Sequence, residues 1–335
     1  MGWIANPRSV SMVLIVIPLT LSMSSCGEDN ECPVCQSTAP AGWVPQPSPV
    51  SVSLREIEAV DGNTLFVAGD SGVVLKTTNG GAEWRLLTTG ASTGFGGMSF
   101  VDSQTGWVCG DEGSILKTTD GGATWIPQSS GTMQELRSIY FVDAETGWAS
   151  GGPRPPQPQE GILLKSTNGG DTWDTQHSGM TVMDAFFLDA RTGWAVTASD
   201  TVLRTIDGGD TWTEHATGAP GVLTSVFFVD ADTGWVGGGG GFLAKSGDGG
   251  QTWTTAQSNV TIGITEVRFV DASTGWYAGR FGTIATSADG GASWWFQDSR
   301  TTSHLIDIMF VGDRTGWIVG QDGTILKTTT GGRLD

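Results

Sequence analysis

The chain has 335 residues, including 51 Gly and 15 Trp, with 17 basic against 35 acidic side chains and a net charge of −18. That balance excludes a nucleic-acid binder, which needs a basic surface to displace counterions from phosphates. Charged residues at 16% exclude a coiled coil or a solvated helical protein, while 38% hydrophobic content permits a sizeable core but not a multi-span membrane protein.

Residues 1–25 read as an export signal and not as part of the fold. Arg8 supplies a positive start, and the apolar run from Met12 to Leu21 is too short for a stable bilayer span. The run leads into Ser24-Ser25-Cys26, which resembles a bacterial lipoprotein signal whose cysteine becomes the acylated N-terminus. An ordinary secretory signal cut nearby is the alternative, and both readings place the chain outside the cytoplasm. The expected location is a lipid anchor in a bacterial membrane, on its periplasmic or outer-membrane face. Gly27 after Cys26 favours the outer membrane by the enterobacterial sorting rule.

Residues 26–41 read as a flexible tether, acidic at first and then rich in small residues and proline. Within it lies Cys32-Pro33-Val34-Cys35. A CxxC is either a redox pair or half of a zinc site, but here there is no second CxxC, no following His and no βαβ context. A local disulfide between Cys32 and Cys35 in an exported linker is the expectation. Cys109 sits in an apolar strand and reads as buried.

From residue 42 the chain repeats. A Gly-Gly step followed by Trp recurs with Trp at 84, 125, 173, 212, 253 and 294, spaced by 41, 48, 39, 41 and 41 residues. Thr-Gly-Trp recurs with Trp at 107, 148, 194, 235, 276 and 317, and blade one has Leu65-Phe66 in that place. A period near 41 with short strands and glycine turns marks a propeller. The expected fold is all-β: one seven-bladed β-propeller of four-stranded blades over residues 42–335. Blade two reads as strands at 97–101, 106–109, 114–118 and 124–126, separated by Asp and Gly turns.

The turn between third and fourth strands has the pattern Ser/Thr-x-Asp/Asn-Gly-Gly-x-Thr-Trp, an Asp box. Its centres are Asn79, Asp120, Asn168, Asp207, Asp248 and Asp289, with Thr330 in a decayed seventh copy. Short Asp and Asn side chains accept backbone N–H bonds and close tight turns. All five lysines (76, 117, 165, 245 and 327) stand three places before a box centre, so the repeat accounts for each of them. One carboxylate or amide per box is too few for Ca²⁺, which takes six to eight oxygens, so the boxes read as structural and no metal or cofactor is expected.

Blade seven stops at Gly331-Gly332-Arg333-Leu334-Asp335 without a fourth strand. The orphan Gly42-Trp43-Val44-Pro45-Gln46 matches Thr124-Trp125-Ile126-Pro127-Gln128 of blade two. Residues 42–46 are therefore expected to supply the missing outer strand of blade seven and to cover its edge. With Trp43 counted, 13 of the 15 tryptophans occupy repeat positions.

The strings Thr-Gly-Trp-x-x-Gly and Gly-x-Ile-x-Lys-Thr-x-Asp-Gly-Gly-x-Thr-Trp resemble the BNR/Asp-box propellers. More closely they resemble the photosystem II stability/assembly factor family; Trp317-Ile318-Val319-Gly320 through Thr324-Ile325-Leu326-Lys327-Thr328 is a typical stretch. The resemblance spans about residues 42–335. It implies an exported seven-bladed propeller, lipidated in cyanobacteria, with an arginine patch on one face. In this chain the matching first-strand pattern Leu-Arg-x-Ile occurs twice, at Arg55 and Arg137, with Gly96, Met183, Thr224, Thr265 and Ile306 in the equivalent places.

A propeller's first strands line its central channel, and their starts share one face with the loops between second and third strands. One place after the Arg55 position the blades read Glu56, Gly97, Ser138, Asp184, Ser225, Glu266 and Asp307. Four carboxylates in seven form an acidic ring that would attract cations or a basic partner. The 48-residue spacing comes from a proline-rich insertion around Arg154, expected on this face as an arm. The candidate partner-binding face is therefore Arg55, Glu56, Arg137, Arg154, Asp184, Glu266, Arg280 and Asp307, where the blades depart from the repeat.

Enzyme readings are poor. A sialidase needs three arginines and a Tyr–Glu pair, but the chain has only Tyr140 and Tyr277, each at a packing position. The three histidines are scattered, and the one GxSxG string, at 90–94, lies between blades without a strand-to-helix elbow. No catalytic residue is expected. The reading is a monomeric, membrane-anchored scaffold for a protein partner in the cell envelope, of the assembly-factor kind. It touches the membrane through its lipid alone and binds no nucleic acid. The rival is a glycan-binding or sialidase-like glycoside hydrolase propeller.

Overall fold

Short apolar runs punctuated by Gly and Asp turns can bury themselves only as antiparallel meanders. The computed structural model describes residues 42–153 and 161–333, and in it seven four-stranded sheets follow one another. Cys26, Cys32, Cys35 and Arg154 lie outside the described residues. Blade one consists of Leu54–Ala59, Leu65–Gly69, Val74–Thr77 and Arg85–Leu87, paired in that order from the channel outward. The other inner strands are Phe95–Phe100, Leu136–Phe141, Val182–Phe187, Leu223–Phe228, Ile264–Phe269 and Leu305–Val311. Each inner strand contacts those of both neighbouring blades, and the ring closes where blade seven meets blade one. The fold is the all-β seven-bladed propeller that the period implies. Among the described residues no helix is long and apolar enough to cross a membrane.

Closure uses both ends of the chain. Val44–Pro45 is the outermost strand of blade seven and pairs with Ile325–Thr328, Val44 opposite Lys327 and Pro45 opposite Leu326. Backbone bonds from Gly42 N to Arg333 O (3.1 Å) and from Gln46 N to Ile325 O (2.8 Å) extend the contact across the expected 42–46 segment. Proline is tolerated there because the outer side of an edge strand has no partner for an N–H. Trp43 is fully buried, and its indole N–H donates to Gln297 Oε1 of blade six at 2.8 Å. In the decayed box, Thr330 Oγ1 accepts the N–H of Gly42 at 3.3 Å, so the position that lost its Asp now fastens the latch.

The core repeats as a two-tryptophan clamp between blades. The Thr-Gly-Trp indole of one blade lies flat on a Phe at the end of the next inner strand; Trp194 on Phe228 is typical, at 3.6 Å and 8°. The next blade's box Trp meets that same Phe edge-on, as Trp253 meets Phe228 at 5.9 Å and 81°. Trp43 fills this edge-on place for blade seven, 5.8 Å from Phe310 at 83°, while Trp276 stacks on Phe310 at 3.7 Å. The stacked indoles also donate to box carbonyls in the next blade, as Trp194 Nε1 does to Gly249 O at 2.7 Å. The glycine of Thr-Gly-Trp is required by close approach: a Cβ on Gly234 would lie 2.5 Å from the Phe228 ring.

Each Asp box is a closed hydrogen-bonded loop. In blade two, Thr118 Oγ1 donates to Asp120 Oδ1 (2.9 Å) and accepts the N–H of Gly122 (2.8 Å). Asp120 in turn accepts the N–H and the hydroxyl of Thr124 at 2.8 and 2.6 Å. The Thr211 and Thr252 hydroxyls, then their N–H groups, hold the carboxyls of Asp207 and Asp248 down at about 2. A carboxylate depressed in the folded state adds stability above its unfolded value and loses it as pH falls through the folded one. The melting temperature is therefore expected to fall between about pH 4 and pH 2. The double variant Asp207→Asn/Asp248→Asn should fall less steeply across that window. Thermal melts of both proteins from pH 5 to pH 2 check this, and parallel curves would remove the boxes as the cause.

Candidate functional site

All seven inner-strand starts converge at one mouth of the channel. They enclose a cavity of about 200 Å³ whose lining includes the whole set Arg55, Gly96, Arg137, Met183, Thr224, Thr265 and Ile306. Glu56, Asp184, Glu266 and Asp307 line it as well, and continue into a smaller recess that also holds Arg268. Thus six of the eight residues expected on the binding face are brought together. Arg280 is exposed on the same rim, in the turn Arg280–Gly282, but does not line the cavity. The insertion containing Arg154 joins Gly147–Gly151 to Gly161–Ser166 of blade three, a connection between second and third strands.

The strand-start acids are not a free rim, and here the structure changes the reading of the sequence. Asp307 is only 8% exposed. Its Oδ2 accepts the N–H of Ile57 in blade one, and its Oδ1 accepts its neighbour Ile308, both at 2.7 Å. Asp184 does the same three blades away, on blade four: it accepts Val226 N of blade five (3.1 Å), Ala185 N (2.8 Å) and the Ser138 hydroxyl of blade three (3.1 Å). Ser225 accepts Val267 N of blade six at 3.1 Å. Inner strands of adjacent blades splay apart and cannot form a ladder, so their inward N–H groups need side-chain acceptors. Asp184 and Asp307 are therefore staples between blades that happen to line the cavity.

Glu266 differs. Burial first, then Asp184 and Asp307, hold its carboxyl well above the usual carboxylate range, partly offset by Arg268 and by a hydrogen bond from Ser225. Arg268 is itself buried, with its guanidinium 4.7 Å above the Phe227 ring and Nη2 3.2 Å from Met309 Sδ. The recess therefore gathers four carboxylates around one fixed cation. Among the described residues no group of three or more His, Cys, Asp or Glu side chains is arranged to hold a metal ion.

The two arginines stand on one side of the mouth, on blades one and three. Arg55 Nε is 2.6 Å from Asp70 Oδ1, and both side chains are about one-third exposed. Arg137 Nη2 is 3.1 Å from Glu135 Oε2. Blade two, between them, contributes Gly96 and Gly97; a Cβ at Gly97 would meet the Arg137 carbonyl at 2.9 Å, so this gap lets blade three close in. Asp70, Asp111 and Glu135 also line the cavity and were not singled out from the sequence. The signal was present for two of them, since Asp70, Asp111, Gly239, Arg280 and Gln321 begin equivalent turns and vary from blade to blade. Phe281, exposed beside Arg280 with its ring centroid 4.9 Å from that of His304 at 78°, is a second rim feature that only the structure reveals.

Other chemistry-bearing residues are committed to packing. Tyr277 is buried with its hydroxyl donating to Ser258 O at 2.6 Å, and burial pushes its phenol up. Tyr140 is buried, and neither tyrosine lines the cavity. Cys109 is a buried free thiol, likewise pushed up by burial.

Seven Asp-box blades around an arginine- and carboxylate-lined channel mouth define a BNR-type β-propeller. The family model described as photosynthesis system II assembly factor YCF48 matches residues 92–181, 174–260 and 255–329, and the chain belongs to that family. Among solved structures it is similar to one described as YCF48 bound to D1 peptide, with 20% identity, a TM-score of 0.72, and 86% of this chain and 95% of that one covered. It is also similar to YCF48 from Cyanidioschyzon merolae, with 23% identity, a TM-score of 0.71, and coverage of 86% and 99%. A more distant likeness is an ancestral GH74 enzyme, with 15% identity and a TM-score of 0.65, where this chain covers 85% of itself and 46% of the enzyme. No curated protein matches the chain.

Proposed function

We propose that this protein is an exported, lipid-anchored, monomeric scaffold that binds a segment of a protein partner at the channel mouth and catalyses no reaction. The observation that carries the reading is the convergence of all seven variable strand starts on one polar cavity, while the repeated Thr-Gly-Trp tryptophans and Asp boxes are spent on packing and turn closure. A related propeller described as bound to a D1 peptide supports peptide capture as the role of such a fold. Assembly of a photosystem II subunit is the finer form of the proposal, and the identity of the partner tests it.

Arg55 and Arg137 are the groups best placed to meet a partner, because both line the cavity mouth with part of their side chains exposed. A pair as exposed as Arg55–Asp70 contributes little to stability, so it can be exchanged for contacts with a ligand. Arg55→Ala/Arg137→Ala is expected to weaken partner capture from native envelope extracts by about tenfold or more with an unchanged melting temperature. Undiminished capture by the double variant would move function off this face. Anchoring is tested separately: Cys26→Ser should release the protein from membranes and abolish palmitate labelling, and unchanged labelling would end the lipoprotein reading.

A further inference from the structure

The channel is a blind cavity and not a pore. Two places on from the column of Glu56, Asp184, Glu266 and Asp307, a step that keeps side chains on one face of a strand, the inner strands carry Glu58, Ser99, Tyr140, Phe186, Phe227, Arg268 and Met309. All seven are buried, so the channel is closed at the level of Arg268, the floor of the recess. A partner segment cannot thread through the ring and has to lie across the mouth, against the turns between second and third strands. Those turns are alike in five blades: Asp70–Gly72, Asp111–Gly113, Gly239–Gly241, Arg280–Gly282 and Gln321–Gly323. The middle residue of each has a left-handed backbone, with φ between 56° and 67°.

Four of these middle residues are Ser71, Glu112, Gly240 and Asp322, and the fifth, in blade six, is Phe281. A bulky side chain is strained on such a backbone, and strain that packing does not repay points to function. Phe281 gains little burial in return: it is 62% exposed, and its ring contact is edge-on with the half-buried His304 of blade seven. Arg280 beside it is exposed and makes no ion pair or side-chain hydrogen bond among the described residues. A Cβ on Gly263 would lie 3.5 Å from Arg280 Nε, so that glycine leaves room for the guanidinium at the start of the blade-six inner strand. Ile306, two places after His304, lines the cavity, so this sector of the rim runs into the mouth. We infer that Phe281 and Arg280 select the partner: the segment held at the mouth lays a large apolar side chain on Phe281 and His304 and sets a neighbouring carboxylate on Arg280. The inference rests on the peptide-binding reading of the mouth and adds the chemistry of the segment. An exposed aromatic ring gains from being covered, and a guanidinium meets a carboxylate in a planar fork. Asp70, Asp111 and Glu135 also line the cavity and repel a purely acidic segment, so the apolar contact supplies the discrimination.

The test uses the full chain, with a random dodecapeptide library displayed on phage as the probe. Peptides enriched on the native protein are expected to carry Phe, Trp, Leu or Ile next to Asp or Glu. A fluorescein-labelled copy of one such peptide is then titrated by anisotropy against the native protein, Phe281→Gly, Arg280→Gln and Arg55→Ala/Arg137→Ala. Phe281→Gly and Arg280→Gln are each expected to weaken binding, the first by about tenfold or more. Phe281→Gly should also melt at the same temperature or higher, because glycine relieves the left-handed backbone. Equal binding by Phe281→Gly overturns the inference, and so does a lower melting temperature, which would make Phe281 a packing residue. Full binding by Phe281→Gly and Arg280→Gln with loss in Arg55→Ala/Arg137→Ala overturns the rim contact and leaves the cavity as the site. No enriched peptide, or equal binding by every variant, removes the mouth reading together with the inference.

Discussion

Trp43→Ala is expected to unfold the ring more readily than any change on its surface, although residue 43 adjoins a segment that reads as a tether. The side chain is fully buried, packs edge-on against Phe310 and bonds to Gln297, so its removal leaves a cavity where blades six and seven meet. Truncating a buried Trp costs about 3–5 kcal/mol, which lowers the melting temperature by on the order of 10 °C for a domain this size. Deleting 42–46 should cost more, because it also uncovers the edge of Ile325–Thr328 and opens that strand to pairing with other chains. Deleting 27–38 should leave the melting temperature unchanged. Differential scanning calorimetry of the three proteins decides the matter, and equal melting temperatures would refute closure by the N-terminal strand.

The second large effect separates two acids that look alike in the sequence. Asp307→Asn places an amide donor against one of two backbone N–H groups that Asp307 now accepts, so a buried donor loses its partner between blades seven and one. Loss of a hydrogen bond to a buried charge costs about 2–3 kcal/mol, or roughly 5 °C in melting temperature. Glu266→Gln should do the opposite. Its carboxyl is raised by burial and by the neighbouring acids, so the ionised form is disfavoured in the folded state and stability falls as pH rises above the ordinary glutamate value. A neutral amide removes that penalty, and Glu266→Gln should melt at the same temperature or higher at pH 7 and above. If both variants melt alike, the inter-blade staple is not what Asp307 contributes.

These two acids show where legibility ended. The position of Asp307 one place after the Arg55 column was plain from the repeat, and so was its place at the channel mouth. Its role was not, because its partner is Ile57 N, 250 residues away and adjacent only once seven blades have closed the circle. The same holds for Asp184, which spacing groups with Glu266 in one acidic ring but whose partner is Val226 N of the next blade. Asp184 and Asp307 spend hydrogen-bonding capacity on a neighbouring blade's backbone, whereas Arg55 keeps about one-third of its side chain exposed at the mouth.

Much else followed from local pattern. A 41-residue period, paired Trp positions and box glycines specify a blade, because each unit can bury its aromatic face only against a copy of itself. Counting units and noticing that Gly42-Trp43-Val44-Pro45-Gln46 matches an outer strand specified the number of blades and the closure. What only the tertiary structure decided lies between the units: which variable positions meet in one cavity, and which acids spend their charge on a neighbour's backbone. Contacts within a blade are short in sequence and repeat with it, so a single chain displays them. Contacts across the channel and around the rim depend on the angle between blades and on ring closure, and no spacing along the chain encodes those distances.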